Sequence, residues 1–140
     1  MKKLLQLDFL PRSSDVALLL LRLMTGLAMA WFHGRMKLMA FDSMRTQFPD
    51  PLGVGSTTSL VLALVGEVLC PILLVFGLFT RLSALISAFT MGVAFFVIHG
   101  SALSGQNSGE MSYLYLAGFS VLFLAGGGRF SVDRKLGGAA

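Results

Sequence analysis

Charged residues are scarce in this chain of 140 residues, and their scarcity excludes most soluble folds. Asp, Glu, Lys and Arg together make up 13% of the sequence, whereas hydrophobic residues make up 55%. A soluble domain of this length needs a polar surface that such a composition cannot supply. The net charge is +4, but the basic residues form no cluster with interleaved aromatic residues, so we exclude nucleic acid as a partner.

Cysteine is nearly absent as well, which excludes several kinds of redox chemistry. Cys70 is the single cysteine, so the chain can form neither an internal disulfide nor a Cys-x-x-Cys pair. Membrane oxidoreductases that pass electrons through cysteine pairs are therefore excluded. The sequence carries no flavin, iron–sulfur or c-type haem motif, and we predict no metal site.

Long apolar runs are what the sequence does contain. A helix needs about 20 residues to cross the hydrocarbon core of a bilayer, and four runs approach this length. We therefore predict an all-α fold, an integral membrane four-helix transmembrane bundle that forms a single domain over residues 1–140. The predicted helices cover residues 15–35, 57–79, 82–99 and 109–126. Small residues at every fourth position allow close packing; they are Gly26, Ala30 and Gly34 in the first run and Ala84, Ala88 and Gly92 in the third.

The basic residues divide unequally between the two ends of these helices. Seven lie on the side of the N-terminus: Lys2, Lys3, Arg12, Arg81, Arg129, Arg134 and Lys135. Three lie on the opposite side: Arg35, Lys37 and Arg45. Because Lys and Arg concentrate on the cytoplasmic side, we predict that both termini are cytoplasmic. We also expect the first run to remain in the protein rather than to be cleaved as a signal peptide, because Arg22 interrupts it.

Two ionisable residues lie deep within the apolar runs and are candidates for function, since such groups are costly in a bilayer. Arg22 starts roughly 10 Å inside the first helix, from where its side chain could reach Glu67 in the second. One interpretation is a buried Arg22–Glu67 ion pair that fixes the register of the helices. The other is that Glu67 handles protons. Pro71 cannot donate a hydrogen bond to the carbonyl of Glu67, which indicates either a simple kink or a helix that lines a cavity.

A second group of candidates lies near the other ends of the helices. His33 ends the first helix, His99 ends the third, and Glu110 opens the fourth, with Tyr113 one turn further on the same face. A histidine, a carboxylate and a phenol at one depth could bind and protonate a quinone head group, whose two carbonyl oxygens need donors. The alternative is that they are separate interfacial groups that contact water and lipid. Haem held by His33 and His99 is geometrically conceivable, but we do not expect it.

A series of motifs runs along nearly the whole chain and is specific when taken together. They are Arg22 with Gly26, Gly34 to Leu38, Glu67, Leu74, the stretch Phe76 to Arg81, His99, Glu110 with Tyr115, and the ending Gly126 to Asp133. In these motifs the sequence resembles the DoxX family of small bacterial membrane proteins. The resemblance implies a four-helix bundle in the bacterial inner membrane. The family takes its name from the membrane part of an archaeal thiosulfate:quinone oxidoreductase, so the resemblance also implies a link to quinone.

The leading hypothesis is therefore a quinone-interacting membrane subunit of a redox system, in which the substrate or a redox partner subunit supplies electrons. Arg35, Lys37 and Arg45 could attract an anionic sulfur compound. The alternative is a non-catalytic membrane anchor or assembly partner for another redox protein, and a small-solute carrier is a third possibility. Whether the chain is an enzyme, and whether it forms a homo-oligomer, stay open. The candidate catalytic residues are Glu67, His99 and Glu110, and the candidate cofactor-binding residues are Arg22, His33 and Tyr113.

Overall fold

The computed structural model describes residues 13–137, and every regular element in this range is helical. The four long helices are α1 (Ser14–Met39), α2 (Ser56–Phe76), α3 (Thr80–Ile98) and α4 (Glu110–Ala125). Three of them are long and apolar enough to cross a membrane, and α4 is a shorter apolar helix of 16 residues. The predicted all-α membrane fold is thereby confirmed. The charges of Lys2, Lys3 and Arg12, on which the predicted orientation partly depends, lie outside the described residues.

The helices form a bundle whose outer surface is apolar. Both α1 and α3 pack against α2 and against α4, and Met29, Leu74 and Phe119 are among the buried core residues. Large hydrophobic side chains also cover the outside, where Met24 is 70% exposed and Leu124 is 73% exposed. An apolar outer surface of this kind is suited to lipid, so the chain is a multi-pass membrane protein.

The two ends of the bundle differ, and we name them by their connections. At the hairpin end, residues 77–79 join α2 to α3, and residues 126–137 follow α4. At the loop end, residues 40–55 join α1 to α2 and contain the short helix Phe41–Met44, while residues 99–109 join α3 to α4. Consequently α1 and α3 run from the hairpin end to the loop end, and α2 and α4 run the opposite way.

Two glycines of the predicted small-residue stripe on α1 allow its backbone to approach α2. A Cβ atom added at Gly26 would lie 2.8 Å from the carbonyl oxygen of Pro71, and one added at Gly34 would lie 2.5 Å from that of Glu67. Both distances are shorter than real contacts, so any larger residue would push the helices apart. Gly92 of α3 differs, because a Cβ added there would meet nothing within 4 Å among the described residues.

The hairpin end is fixed by hydrogen bonds between two motifs that are distant in sequence. Gly77, at a φ of 69°, ends α2 in a left-handed turn, and the N–H of Leu78 bonds to the carbonyl of Leu73 at 2.9 Å. This pattern is a Schellman cap. The carboxylate of Asp133 then accepts bonds from the N–H groups of Phe79 at 2.8 Å and Thr80 at 2.7 Å, so it caps the N-terminus of α3.

Arg22 belongs to this hairpin end, and the predicted Arg22–Glu67 ion pair is wrong. The guanidinium is fully buried and donates to the carbonyl of Leu74 at 3.2 Å and to that of Phe130 at 3.1 Å. The physical reason is direction, because side chains on a helix lean toward its N-terminus. In the antiparallel pair α1 and α2, Arg22 therefore leans toward the hairpin end and Glu67 toward the loop end.

Candidate functional site

A cavity of about 650 Å³ lies in the loop half of the bundle. All four long helices contribute to its lining, and the loop after α1 contributes Met44 and Phe48. Most of the wall is apolar. The ionisable or phenolic side chains that line it are His33, Lys37, Glu67, His99 and Tyr115. The cavity therefore collects polar groups from four helices in an otherwise apolar chamber, which is the usual character of a ligand site.

The walls of the cavity include three π-helical turns, one in each of α1, α2 and α3. They span Met29–Gly34, Val65–Leu69 and Ala94–Ile98. The first contains His33 and the second contains Glu67, while His99 directly follows the third. A π-helical turn widens a helix and changes which side chains face inward, and such turns are common at functional sites. Their coincidence at one cavity distinguishes this region from the rest of the bundle.

The centre of the site is an ion pair between Lys37 and Glu67. The Lys37 ammonium donates to a carboxylate oxygen of Glu67, whose side chain is 7% exposed while that of Lys37 is 24% exposed. Because each side chain leans toward the N-terminus of its own helix, Lys37 reaches down from the loop end and Glu67 reaches up toward it. The sequence alone predicts that Lys37 is a basic residue beyond the first apolar run that could attract an anionic compound, and it does not predict the pairing with Glu67.

The α1–α4 wall of the cavity is built by His33 and Tyr115. Their rings meet edge to face, with centroids 5.4 Å apart and planes at 83°. Tyr115 in turn stacks on Phe119, with centroids 6.0 Å apart, and Phe119 is fully buried. This support fixes the position of the phenol, and both His33 and Tyr115 belong to the lining of the cavity.

His99 lies at the loop end of the cavity, and a hydrogen bond determines which of its ring nitrogens carries hydrogen. Its Nδ1 lies 3.2 Å from the backbone oxygen of Asn107 and 3.2 Å from the side-chain oxygen of the same residue. A carbonyl oxygen only accepts hydrogen bonds, so the proton lies on Nδ1. Nε2 is then an acceptor in the neutral ring and becomes a donor when the ring is protonated.

Three of the predicted site residues line the cavity and three do not. Glu67, His33 and His99 line it, whereas Arg22, Glu110 and Tyr113 are absent from its lining. Glu110 is exposed at the start of α4. Tyr113 packs against Phe95, with ring centroids 5.3 Å apart, while Tyr115 lines the cavity. Residues two apart on a helix lie on opposite sides, which is why the two tyrosines separate.

The loop between α1 and α2 closes the loop end of the cavity and is anchored by Asp50. Phe48 and Pro51 of this loop line the cavity. The carboxylate of Asp50 between them accepts hydrogen bonds from the Ser59 hydroxyl at 2.7 Å and the Gly55 N–H at 2.8 Å. These bonds, the Ser59 bond first, hold the pKa of Asp50 below its ordinary value. The loop is therefore tied to the start of α2 by an ionised carboxylate.

The other two basic residues that were considered for attracting an anion lie apart from the ion pair. The guanidinium of Arg35 lies over the ring of Trp31, 4.9 Å from its centroid, and Arg35 is exposed on the outer surface. Arg45 is exposed in the loop, and its carbonyl accepts a hydrogen bond from Thr57. Lys37 is thus the one of the three that lines the cavity.

Comparison with known proteins places the sequence among small membrane proteins. The profile of the DoxX family matches residues 17–100, a range that includes Lys37, Glu67 and His99. An uncharacterized protein of Haemophilus influenzae is 32% identical over 108 residues, which cover 74% of this chain and 78% of that protein. Another uncharacterized protein of the same organism is 31% identical over 98 residues, which cover 66% of this chain and 64% of that protein. No solved structure matches the chain.

Proposed function

The chain belongs to the DoxX family, and from this premise and the cavity we propose that it is a quinone-binding membrane subunit of a redox system. The observation that carries the proposal is that one cavity with mostly apolar walls is lined by five ionisable or phenolic residues, Lys37, Glu67, His33, His99 and Tyr115. A quinone head group is a flat apolar ring with two carbonyl oxygens at opposite ends. It needs an apolar slot with hydrogen-bonding groups at both ends.

The groups in the cavity fit these needs. The volume of about 650 Å³ lies within the range of about 300–1,000 Å³ that is usual for ligand sites. The phenol of Tyr115 and the ammonium of Lys37 are donors for a carbonyl oxygen. His99, at the loop end, would serve the second oxygen through Nε2. Glu67 is already bonded to Lys37, so its role would be to hold and orient the ammonium rather than to contact the ring.

The proposed chemistry divides between the bound group and the chain. A quinone carries two electrons and two protons and diffuses within the membrane. Since its Nδ1 is committed to Asn107, His99 would donate a proton from Nε2 to one carbonyl oxygen of the quinone as electrons reach the ring, and it would take up a new proton from the loop end. The electrons would come from a partner subunit or from a substrate such as an anionic sulfur compound.

The proposed orientation puts the loop end on the periplasmic side of the membrane. Arg81, Arg129, Arg134 and Lys135 lie at the hairpin end, and fewer basic residues lie at the loop end. Because basic residues favour the cytoplasmic side, we propose that the chain lies in the bacterial inner membrane with both termini in the cytoplasm. His99 would then exchange protons with the periplasm.

Matched pairs of residues make the test of quinone binding sharp. The chain has two tyrosines and two glutamates, and in each pair one residue lines the cavity and the other does not. The experiment is a titration of delipidated protein in mild detergent with a quinone, for variants that keep their helical circular dichroism. We expect Tyr115→Phe and His99→Ala to weaken binding by about fivefold or more each, for a lost hydrogen bond. Glu67→Gln should also weaken binding, because the Lys37 ammonium loses the carboxylate that holds it in place. The controls Tyr113→Phe and Glu110→Gln should bind like the unaltered protein. Equal affinities within each pair would contradict the proposed site.

A second candidate function is a non-catalytic membrane anchor or assembly partner for another redox protein. One observation favours it: the Glu67 carboxylate already has the Lys37 ammonium as its partner. The ion pair would then have the sole role of fixing the positions of the helices. In that case Glu67→Gln would reduce the amount of folded protein and of its partner complex, but the quinone content of the membrane fraction would not depend on the chain. Retained protein level with lost quinone binding in His99→Ala would exclude the anchor.

A further inference from the structure

Three of the four walls of the cavity are closed by direct packing between helices. Between α1 and α2, Gly34 packs against the backbone of Glu67. Between α1 and α4, the rings of His33 and Tyr115 touch. Between α3 and α4, the rings of Phe95 and Tyr113 pack together, with centroids 5.3 Å apart. The walls that hold most of the polar groups are therefore held together by direct contacts between helices.

The fourth wall, between α2 and α3, is closed only toward the hairpin end. There the hydroxyl of Ser87 donates to the carbonyl of Gly66 at 2.9 Å, and the side chain of Thr90 fills the space beside Gly66. One turn closer to the loop end, Leu62 of α2 lines the cavity and is also 47% exposed. Phe89 of α3 lies next to Thr90, at the edge of the gap nearer the hairpin end, and it also lines the cavity and is 61% exposed. Side chains that face both the cavity and the outside mark an opening between the two helices.

The position and chemistry of this opening suit lipid rather than water. Leu62 lies six residues into α2, about 9 Å along the helix at 1.5 Å per residue, and so within the apolar span. Ala63 and Val93 line the cavity on the same two helices and are apolar like Leu62 and Phe89. The opening also faces away from the α1–α4 wall that carries His33 and Tyr115. A molecule in the cavity would thus find polar partners at the closed side and an apolar exit at the open side.

We propose that the α2–α3 opening is a lateral portal through which the tail of an amphiphilic ligand passes into the bilayer. The inference rests on the proposed quinone site and specifies its ligand: a lipid-dissolved quinone with a long hydrocarbon tail, not a small solute that enters from water. The head group occupies the cavity beside Lys37 and Tyr115, and the tail crosses the wall between Leu62 and Phe89.

Photolabelling locates the tail directly. The probe is a benzoquinone with a saturated tail that ends in a diazirine, and the protein is the full chain in lipid nanodiscs. After irradiation and proteolysis, mass spectrometry should find the label on the segments around Leu62 and Phe89, and excess unlabelled tailed quinone should remove it. Phe32 of α1 is exposed and is absent from the lining of the cavity. Label on Phe32 therefore reports the lipid background and should remain when excess unlabelled tailed quinone is added. Competed label on the loop around Phe48 would overturn the portal.

A bulky residue in the portal provides an independent check. Leu62→Trp should lower the amount of tailed quinone bound by about tenfold and should affect a quinone without a tail much less, because only the tail crosses the portal. Equal losses of both quinones would overturn the portal. Leu124→Trp is the matched control, because Leu124 is 73% exposed on α4 outside the cavity. Unchanged binding of both quinones to Leu62→Trp overturns the portal and leaves the proposed function standing. Failure of the unaltered protein to bind either quinone overturns both.

Discussion

Replacement of Lys37 by methionine is expected to destabilise the protein strongly, because it leaves a buried charge without a partner. The Glu67 residue is 5% exposed, and removal of one partner of a buried ion pair costs about 3–5 kcal/mol. Since Lys37 itself keeps a side-chain exposure of 24%, the lower end applies, and we expect a loss of about 3 kcal/mol. Glu67→Gln should cost less, about 2 kcal/mol, because the freed ammonium can reach toward water on its flexible stem.

The double variant separates the ion pair from general disruption of the bundle. With both charges removed, neither is left unpaired, so the loss in Lys37→Met/Glu67→Gln should be smaller than the sum of the single losses by about 2 kcal/mol. The free energy of unfolding is measured by titration with a denaturing detergent and followed by circular dichroism. Arg35→Met is the matched control for loss of a basic residue on the same helix. The exposed stacking of the Arg35 guanidinium on Trp31, which this variant removes, is worth at most about 1 kcal/mol. Additive single losses, or equal losses for Lys37→Met and Arg35→Met, would refute the buried ion pair.

Three further predictions concern the scaffold around the site. Arg22→Lys should lower the free energy of unfolding by about 2–3 kcal/mol, since an ammonium cannot reach the Leu74 and Phe130 carbonyls together. Unfolding by a denaturing detergent measures this loss, and a loss below about 0.5 kcal/mol would contradict the hydrogen bonds of Arg22. Gly34→Ala should cost about 1–3 kcal/mol by pushing α1 from α2, whereas Gly92→Ala should be neutral or stabilising, and the same assay compares them. The pKa of Asp50 is depressed, so its anchoring of the loop should be present at neutral pH and lost as the pH falls through that depressed value. Hydrogen exchange of the Val54 and Gly55 amides, which donate to Asp50, would detect the loss. Asp50→Asn should remove this pH dependence, and a loop equally protected in both proteins at all pH values would count against it.

The fold could be predicted from the sequence because lipid leaves few choices. Long apolar runs must become helices to satisfy their backbone groups, and four such runs produce the bundle that the structure contains. The close approach at Gly26 and Gly34 also followed from residue size and spacing. Helix directions could be read from the order of the runs, but the lean of individual side chains could not be read from hydropathy. That lean decides that Lys37, and not Arg22, is the partner of Glu67.

The candidate site could be predicted only in part, for reasons that lie in α4 and in the end of α1. Glu67, His33 and His99 stood out as ionisable groups in apolar surroundings, and they do line one cavity. The sequence of α4 is apolar on nearly all sides, so it does not reveal which face packs on α1. The pairing with Glu110 by spacing selected Tyr113, which does not line the cavity, rather than Tyr115, which does. Lys37 follows the first apolar run, where basic residues usually mark the membrane surface. Its motif with Gly34 was the signal that could have placed it beside α2.

The most direct test of the account is the quinone content of the protein taken from its own membrane. The chain is purified in mild detergent, extracted into organic solvent and analysed by mass spectrometry, with its absorbance recorded before and after chemical reduction. We expect a reducible quinone in a near-stoichiometric amount, retained by Glu110→Gln and lost from His99→Ala. No quinone above the detergent background in the unaltered protein, or equal amounts in both variants, would contradict it.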